Sequence, residues 1–249
     1  MSRAIALVDL DDTLFQTLRK RPADVPEADM TPLAYAKDGS PLSYATPRQM
    51  AFLTWLNETA LVIPVTARSL DALRRVRIPF AAAICAHGAV LLDDTGEPDP
   101  DWSATIAAAA ALHAEDLARF TGRIAALAAD QGVPISVRVL SEFDVGLYVI
   151  VKQPDADEGL LNGVVDAMVH EVPADWTVHR NGNNIALMPP FLGKQHAVER
   201  LLPGLRAAHP TSPVIGVGDS LSDAPFMALC DFAMTPTGSQ LATAFRSRA

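Results

Sequence analysis

The stretch Asp9-Leu10-Asp11-Asp12-Thr13 follows a short apolar run, Ala4 to Val8. Carboxylates crowded at the end of a buried strand repel one another, so protons or a cation must offset their charge, and hard oxygen donors favour magnesium over softer metals. By itself the Asp-x-Asp-x-Thr pattern also describes a solvated acidic turn. A second acidic element shifts the balance: Gly218-Asp219-Ser220-Leu221-Ser222-Asp223 follows the apolar run Val214 to Val217. Two such strand ends can share one metal. Thr66 comes directly after the run Leu61 to Val65, and Lys194 opens a helical pattern. A hydroxyl donor and a mobile ammonium are what a phosphate dianion needs beside an anionic nucleophile.

The elements that must bring these residues together can be read from the same runs. Ala4 to Val8, Leu61 to Val65, Ala82 to Ala86 and Val214 to Val217 have the length and β-branched content of buried parallel strands. Helical patterns separate them: Pro47 to Thr59 with Thr46 as cap, Leu70 to Val76, and Lys194 to Leu202. This alternation predicts an α/β fold, a doubly wound, Rossmann-like parallel sheet, whose ligands bind at the carboxyl ends of its strands.

The middle of the chain reads differently. A long alanine-rich helical stretch, Ser103 to Asp130, is expected to break at Gly122, with strands at Ser136 to Leu140 and Gly146 to Val151 and a helix over Asp157 to Glu171. A hairpin joins Trp176 to Arg180 with Ile185 to Met188 through Asn181, Gly182, Asn183 and Asn184. We therefore expect a core domain of residues 1–88 and 189–249 carrying a smaller inserted α+β domain, residues 89–188. Pro22 to Thr46 is too long for an ordinary connection; Leu33 to Ala36 and Pro41 to Tyr44 flank Lys37-Asp38-Gly39 as a small hairpin next to the first strand's carboxyl end.

Bulk properties restrict the function classes. With 49% hydrophobic and 20% charged residues in 249, the chain is expected to fold as a globular protein. A formal net charge of −9 argues against a broad nucleic-acid surface. No apolar run reaches the roughly 18 to 20 residues that span a bilayer, and the acidic start does not suit a signal peptide, so a cytoplasmic location without a membrane partner is expected. Cys85 and Cys230 sit in apolar stretches as free thiols would.

Taken in order, Asp9, Asp11 and Thr13, then Thr66, then Lys194, then Asp219 and Asp223 resemble the four motifs of the haloacid dehalogenase superfamily of phosphotransferases. The insert between Thr66 and Lys194 resembles the α/β cap of the Cof-like, sucrose-phosphate, trehalose-phosphate and mannosyl-3-phosphoglycerate phosphatases. Thr66-Ala67-Arg68 is similar to the Thr-Gly-Arg of those families and His87-Gly88-Ala89 to their Asn-Gly-Ala, with Ala67, His87 and Ser222 as departures.

The resemblance implies a magnesium-dependent phosphohydrolase acting on a small phosphate ester, a sugar phosphate or a phosphorylated glycerate derivative. It implies Asp9 as nucleophile through an aspartyl phosphate, Asp11 as acid and base, and Lys194 and Thr66 as holders of the phosphoryl oxygens. Metal ligands would be Asp9, the Asp11 carbonyl, Asp219 and, directly or through water, Asp223. Ala67, Arg68 and His87 join the substrate-binding candidates; for Arg68 a plain ion pair and for His87 a structural role remain open. Arg138 and Arg180, on strand-like segments of the insert, are read as lying away from the substrate, and His113, His170, His179, His196 and His209 as structural or exposed. Two alternatives stand beside the hydrolase: a phosphomutase of the same superfamily and a noncatalytic metal-binding or regulatory protein. Oligomeric state is not legible.

Overall fold

The structure, a computed structural model, describes residues 3–155 and 157–246. The chain divides into two compact units, one formed by residues up to Ser103 together with those from Gly193 onward, the other by Ala104–Leu192.

The first unit begins with β1 (Ala4–Val8), β2 (Thr31–Tyr35), β3 (Pro41–Ala45), α1 (Pro47–Thr59), β4 (Ala60–Pro64), α2 (Leu70–Leu73), β5 (Ala83–Cys85), β6 (Val90–Leu92) and the start of α3 (Pro100–Ala111). The second unit holds α4 (Ala114–Asp130), β7 (Ser136–Glu142), β8 (Val145–Lys152), α5 (Glu158–Asp166), β9 (Thr177–Asn181) and β10 (Asn184–Met188). The chain then returns to the first unit through α6 (Lys194–Ala208), β11 (Val214–Val217), α7 (Ala224–Met227), β12 (Phe232–Met234) and α8 (Gln240–Arg246).

The first unit is a parallel sheet in the order β12-β11-β1-β4. A parallel Val65–Ile84 bridge leads on to β5. Central β1 is apolar throughout because both of its faces are buried; Ile5 to Val8 are at most 1% exposed, and Ile5 and Leu7 pack with Ile63, Val198, Phe226 and Leu241. Thr46 caps α1 as expected: its hydroxyl accepts from Gln49 N, while the Gln49 side chain accepts from Thr46 N.

Two helices differ from their expected extents for identifiable reasons. α2 stops at Leu73 rather than Val76, because Tyr35 N bonds Arg75 O and Arg77 N bonds Leu33 O, so β2 claims the backbone that a longer helix would use. α6 runs past Leu202 to Ala208 with Pro203 inside it. Pro203 is exposed, while Leu202 and Leu205 on either side pack into the core, and that burial outweighs the one helical bond the proline cannot donate.

The hairpin expected between the first strand and α1 is present as β2 and β3, with Asp38 Oδ1 accepting from Ser40 N and Gly39 in the left-handed region at φ 82°.

In the second unit an antiparallel sheet, β7-β8-β10-β9, is covered on one face by α4 and α5. Phe120, Ile124, Val149, Val151, Leu161 and Leu187 form its core. The alanine-rich stretch breaks at Leu112–His113 and not at Gly122, which lies inside α4. Nothing lies within 4 Å of a side chain built at Gly122, so its cost is the entropic one of a surface glycine, about 1 kcal/mol, too little to end a helix whose other face is packed. α5 ends at Asp166, short of Glu171, and a separate 3-10 turn covers Val169–Glu171.

Candidate functional site

β1 and β11 end side by side, joined past Val8 by Asp9 N donating to Val217 O at 2.8 Å. The chain beyond each strand carries the acids. Asp9 is 5% exposed and Asp223 0%, and one oxygen from each of Asp9, Asp219 and Asp223 lies within 4.8 Å of the others. Lys194 Nζ donates to Asp9 Oδ1 and to Asp223 Oδ1, at 2.6 Å each. Thr13 Oγ1 donates to Asp219 Oδ1 at 3.2 Å and lies 3.4 Å from Asp9 Oδ2.

The other oxygen of Asp223 accepts from Asp219 N, Ser220 N and Ser220 Oγ at 3.1, 2.9 and 2.8 Å. Asp223 therefore shapes its own loop as well as pairing with Lys194. Gly218 makes this possible: a Cβ there would come within 2.6 Å of Asp223 Cβ. Ser220 was not singled out from the sequence, although a serine three residues before an aspartate at a helix start is a recurrent loop-closing pair.

Lys194 is placed by the first turn of α6 against the turn after β5. Ala86, His87 and Gly88 have φ of 50°, 56° and 96°, and a Cβ on Gly88 would sit 2.3 Å from Gly193 O. Only glycine allows that close approach. The same turn is tied to the end of β4: Thr66 N donates to Ile84 O, His87 N to Thr66 O, and Ala86 N to Arg68 O. Arg68 N donates to Thr66 Oγ1 at 3.1 Å. Thr66 and His87 are buried, and Ala67 is half-buried between Thr66 and Arg68.

Asp11 stands apart from the three-acid cluster. Its two oxygens accept from Arg68 Nε and Nη2, both at 2.7 Å, so the guanidinium is engaged by this carboxylate. Asp12, at φ 61°, pairs with Lys20.

Electrostatics follow from the count. Asp9, Asp219 and Asp223 with Lys194 leave two uncompensated negative charges, because Asp11 and Asp12 have their own cations. Burial pushes the Asp219 carboxyl up to about 6, with the charges of Asp223 and Asp12 adding to it. Burial raises Asp9 well above its ordinary value, opposed chiefly by Lys194. For Lys194 burial works against the ammonium, but Asp9 and Asp223 outweigh it and raise its pKa, so the lysine stays charged. Three clustered carboxylates, all oxygen donors, short by two positive charges, suit a hard divalent cation.

Elsewhere, Arg180 bonds Asn162 and Asp166 on α5, so it serves the helix-covered side of the second unit. Both cysteines are free, and burial, then the Asp231 charge, pushes the Cys230 thiol up to about 11. A cavity of about 410 Å3 lined by Leu61, Leu91, Leu201 and His209 shares no residue with the acidic site.

No family model matches the chain, and no curated protein does. Solved structures do. The trehalose-6-phosphate phosphatase C-terminal domain of C. albicans matches 90% of this chain and 73% of its own at 16% identity and a TM-score of 0.52. The sucrose-phosphatase of Synechocystis matches 99% of this chain and 87% of its own, also at 16% identity and a TM-score of 0.52. No helix among the described residues is long and apolar enough to cross a membrane.

Proposed function

We propose that this chain, which has the fold of the haloacid dehalogenase phosphatases, is a divalent-metal-dependent phosphohydrolase that acts on a small phosphorylated metabolite. The observation that carries the reading is the convergence of Asp9, Asp219 and Asp223 on one another with a single ammonium, Lys194, between two of them. A carboxylate meant to attack phosphorus must be ionised, oriented and relieved of repulsion toward an anionic substrate. Lys194 orients Asp9 and favours its ionised form against burial.

Asp9, Asp219 and Asp223, with the Asp11 carbonyl, would hold the magnesium ion. Bound there, it supplies positive charge that lets two anions approach and that offsets charge on the phosphoryl oxygens. In the first step a bond forms between an Asp9 oxygen and phosphorus while the ester P–O bond breaks. Asp11, an ion-paired carboxylate that solvent reaches, first takes up a proton from solvent and then gives it to the departing oxygen. In the second, Asp11 takes a proton from water, whose oxygen attacks phosphorus; phosphate leaves and the Asp9 carboxylate returns. Lys194 and Thr66 hold the transferring oxygens, and the site's burial removes competing water.

The second unit, Ala104–Leu192, serves as the substrate-selecting cap. The likeness to a trehalose-6-phosphate phosphatase and to a sucrose-phosphatase solved with sucrose and phosphate supports a sugar phosphate, and a phosphorylated glycerate is the next class to test. The test is a phosphate-release screen over sugar, glycerate and nucleotide phosphates with magnesium, run beside Asp9→Asn. Release by the parent and none by the variant is expected; equal activity in both removes Asp9 as nucleophile, and a phosphoryl group moved within the substrate makes the chain a mutase.

A further inference from the structure

Arg68 directs its guanidinium chiefly at one carboxylate. Nε and Nη2 reach the two oxygens of Asp11, each at 2.7 Å, a forked pairing that fixes the plane of the carboxylate as well as its position. The guanidinium is itself held from other directions. Its carbon lies 5.0 Å from the centroid of the Phe15 ring, and Nη2 also donates to Ser43 Oγ at 3.3 Å. Phe15 is fully buried and Ser43 is 1% exposed.

Ser43 belongs to β3, and its neighbour Tyr44 exchanges backbone bonds of 3.0 and 2.7 Å with Gln16, just beyond the turn that carries Asp11. The contacts thus close a ring: from Asp11 along the chain to Phe15 and Gln16, across to Tyr44 and Ser43, on to Arg68 and back to Asp11. A guanidinium kept for a substrate would be free to turn toward it. This one is 12% exposed and braced on three sides.

We propose that Arg68 is a positioning residue, which sets the plane of the Asp11 carboxylate for proton transfer, and that the β2–β3 hairpin holds Arg68 for that task through Ser43. This rests on the reading of Asp11 as the acid that protonates the leaving oxygen. It gives the hairpin a role in the reaction without contact with the substrate.

The leaving group separates positioning from the other roles an arginine could have here. An alkyl phosphate needs a proton on its departing oxygen, whereas p-nitrophenyl phosphate releases a stable phenolate and needs little help. General acid catalysis contributes about 10²- to 10⁴-fold, so Arg68→Met is expected to lower kcat/KM roughly 10²-fold for the alkyl ester and less than about 10-fold for the nitrophenyl ester. Arg68→Lys keeps a cation beside Asp11 but cannot engage both oxygens, and should show the same bias; it also serves if the Met variant does not fold. Ser43→Ala should show the bias in weaker form.

Asp11→Asn is the reference for full loss of the proton donor. Equal losses on the two esters in both Arg68 variants would assign the residue to phosphate binding or to folding and overturn the proposal, as would no loss on either. An Asp11→Asn variant without the bias would sink the reading of Asp11 itself, an outcome distinct from unbiased Arg68 variants beside a biased Asp11 variant.

Discussion

The two sheets of this molecule carry their polar residues in different ways. In the first unit β1, β4 and β11 are apolar along their length, and Asp9, Thr66 and Asp219 appear only after the strands end. In the second unit the polar residues lie within the strands. Val137, Val139, Val149, Val151, Ile185 and Leu187 pack toward α4 and α5, so strand alternation puts Arg138, Lys152, His179 and Asn184 on the opposite face. Arg138 and Lys152 sit diagonally on β7 and β8, and burial, then the Arg138 charge, lowers the pKa of Lys152.

The contrast has a physical basis. A buried parallel strand cannot accommodate a charge midway, so its chemistry gathers where the backbone leaves the sheet and loops are free to converge. An antiparallel sheet with its core on one face can carry polar residues along the other without disturbing that core. Under the proposed function, reaction type depends on a few strand ends, and substrate choice on a surface.

The largest effect that would break this division is at Asp9. Asp9→Asn should lower turnover on the order of 10⁴-fold or more, measured by phosphate release, while leaving the fold intact. Substantial activity in that variant would remove the strand-end site from the chemistry.

Next come two substitutions of similar cost in different units. Lys194→Met leaves Asp9 and Asp223 buried without their cation and should destabilise the protein by about 3–5 kcal/mol in urea unfolding. Phe120→Ala empties the centre of the second unit at about 3–5 kcal/mol. Calorimetric titration should show magnesium binding unchanged in Phe120→Ala and strengthened in the Lys194 variant, whose carboxylates lose a competing cation; equal weakening in both would mean that the site depends on the packing of the second unit.

A smaller effect comes from protons. Asp219 holds a proton up to about pH 6 in the folded, metal-free protein, above its ordinary value of 3.8. Between those values the folded state binds a proton that the unfolded state lacks, so this group's contribution makes stability fall as pH rises through that window. Allowing for solvent screening of a half-exposed group, the change is about 1 kcal/mol. Removing magnesium should therefore lower Tm more at pH 7 than at pH 5, and Asp219→Asn should lessen the difference. A magnesium effect that is the same at both pH values would deny the raised carboxyl.

The smallest effect belongs to the second unit. Arg138→Ala and Lys152→Ala should change KM by about 2- to 10-fold and kcat by less, in keeping with the modest value of exposed charges. A collapse of kcat in either would mean that the two sheets do not divide the work as described.

Much of the architecture was legible from local pattern. The register of apolar runs predicted β1 and β11 to the residue and the capped α1, and the turn signal at Lys37-Asp38-Gly39 predicted the hairpin. β6 and β12, three residues each, carry too short a pattern to be read, and β12 is exposed throughout. Local pattern puts helix ends at Val76 and Leu202 where the structure has Leu73 and Ala208, because those ends depend on partners elsewhere: β2 for one, the core leucines for the other.

For the site, the sequence determined which groups stand at strand ends, since residue type and strand period are local properties of the chain. It did not determine who pairs with whom. Arg68 and Asp11 are 57 residues apart, and Ser43 reaches Arg68 from a third segment. Only the tertiary structure decided that the guanidinium goes to Asp11 and the ammonium to Asp9 and Asp223, because each charge settles where burial, geometry and all the neighbouring charges together cost least, and no local stretch of chain contains that sum.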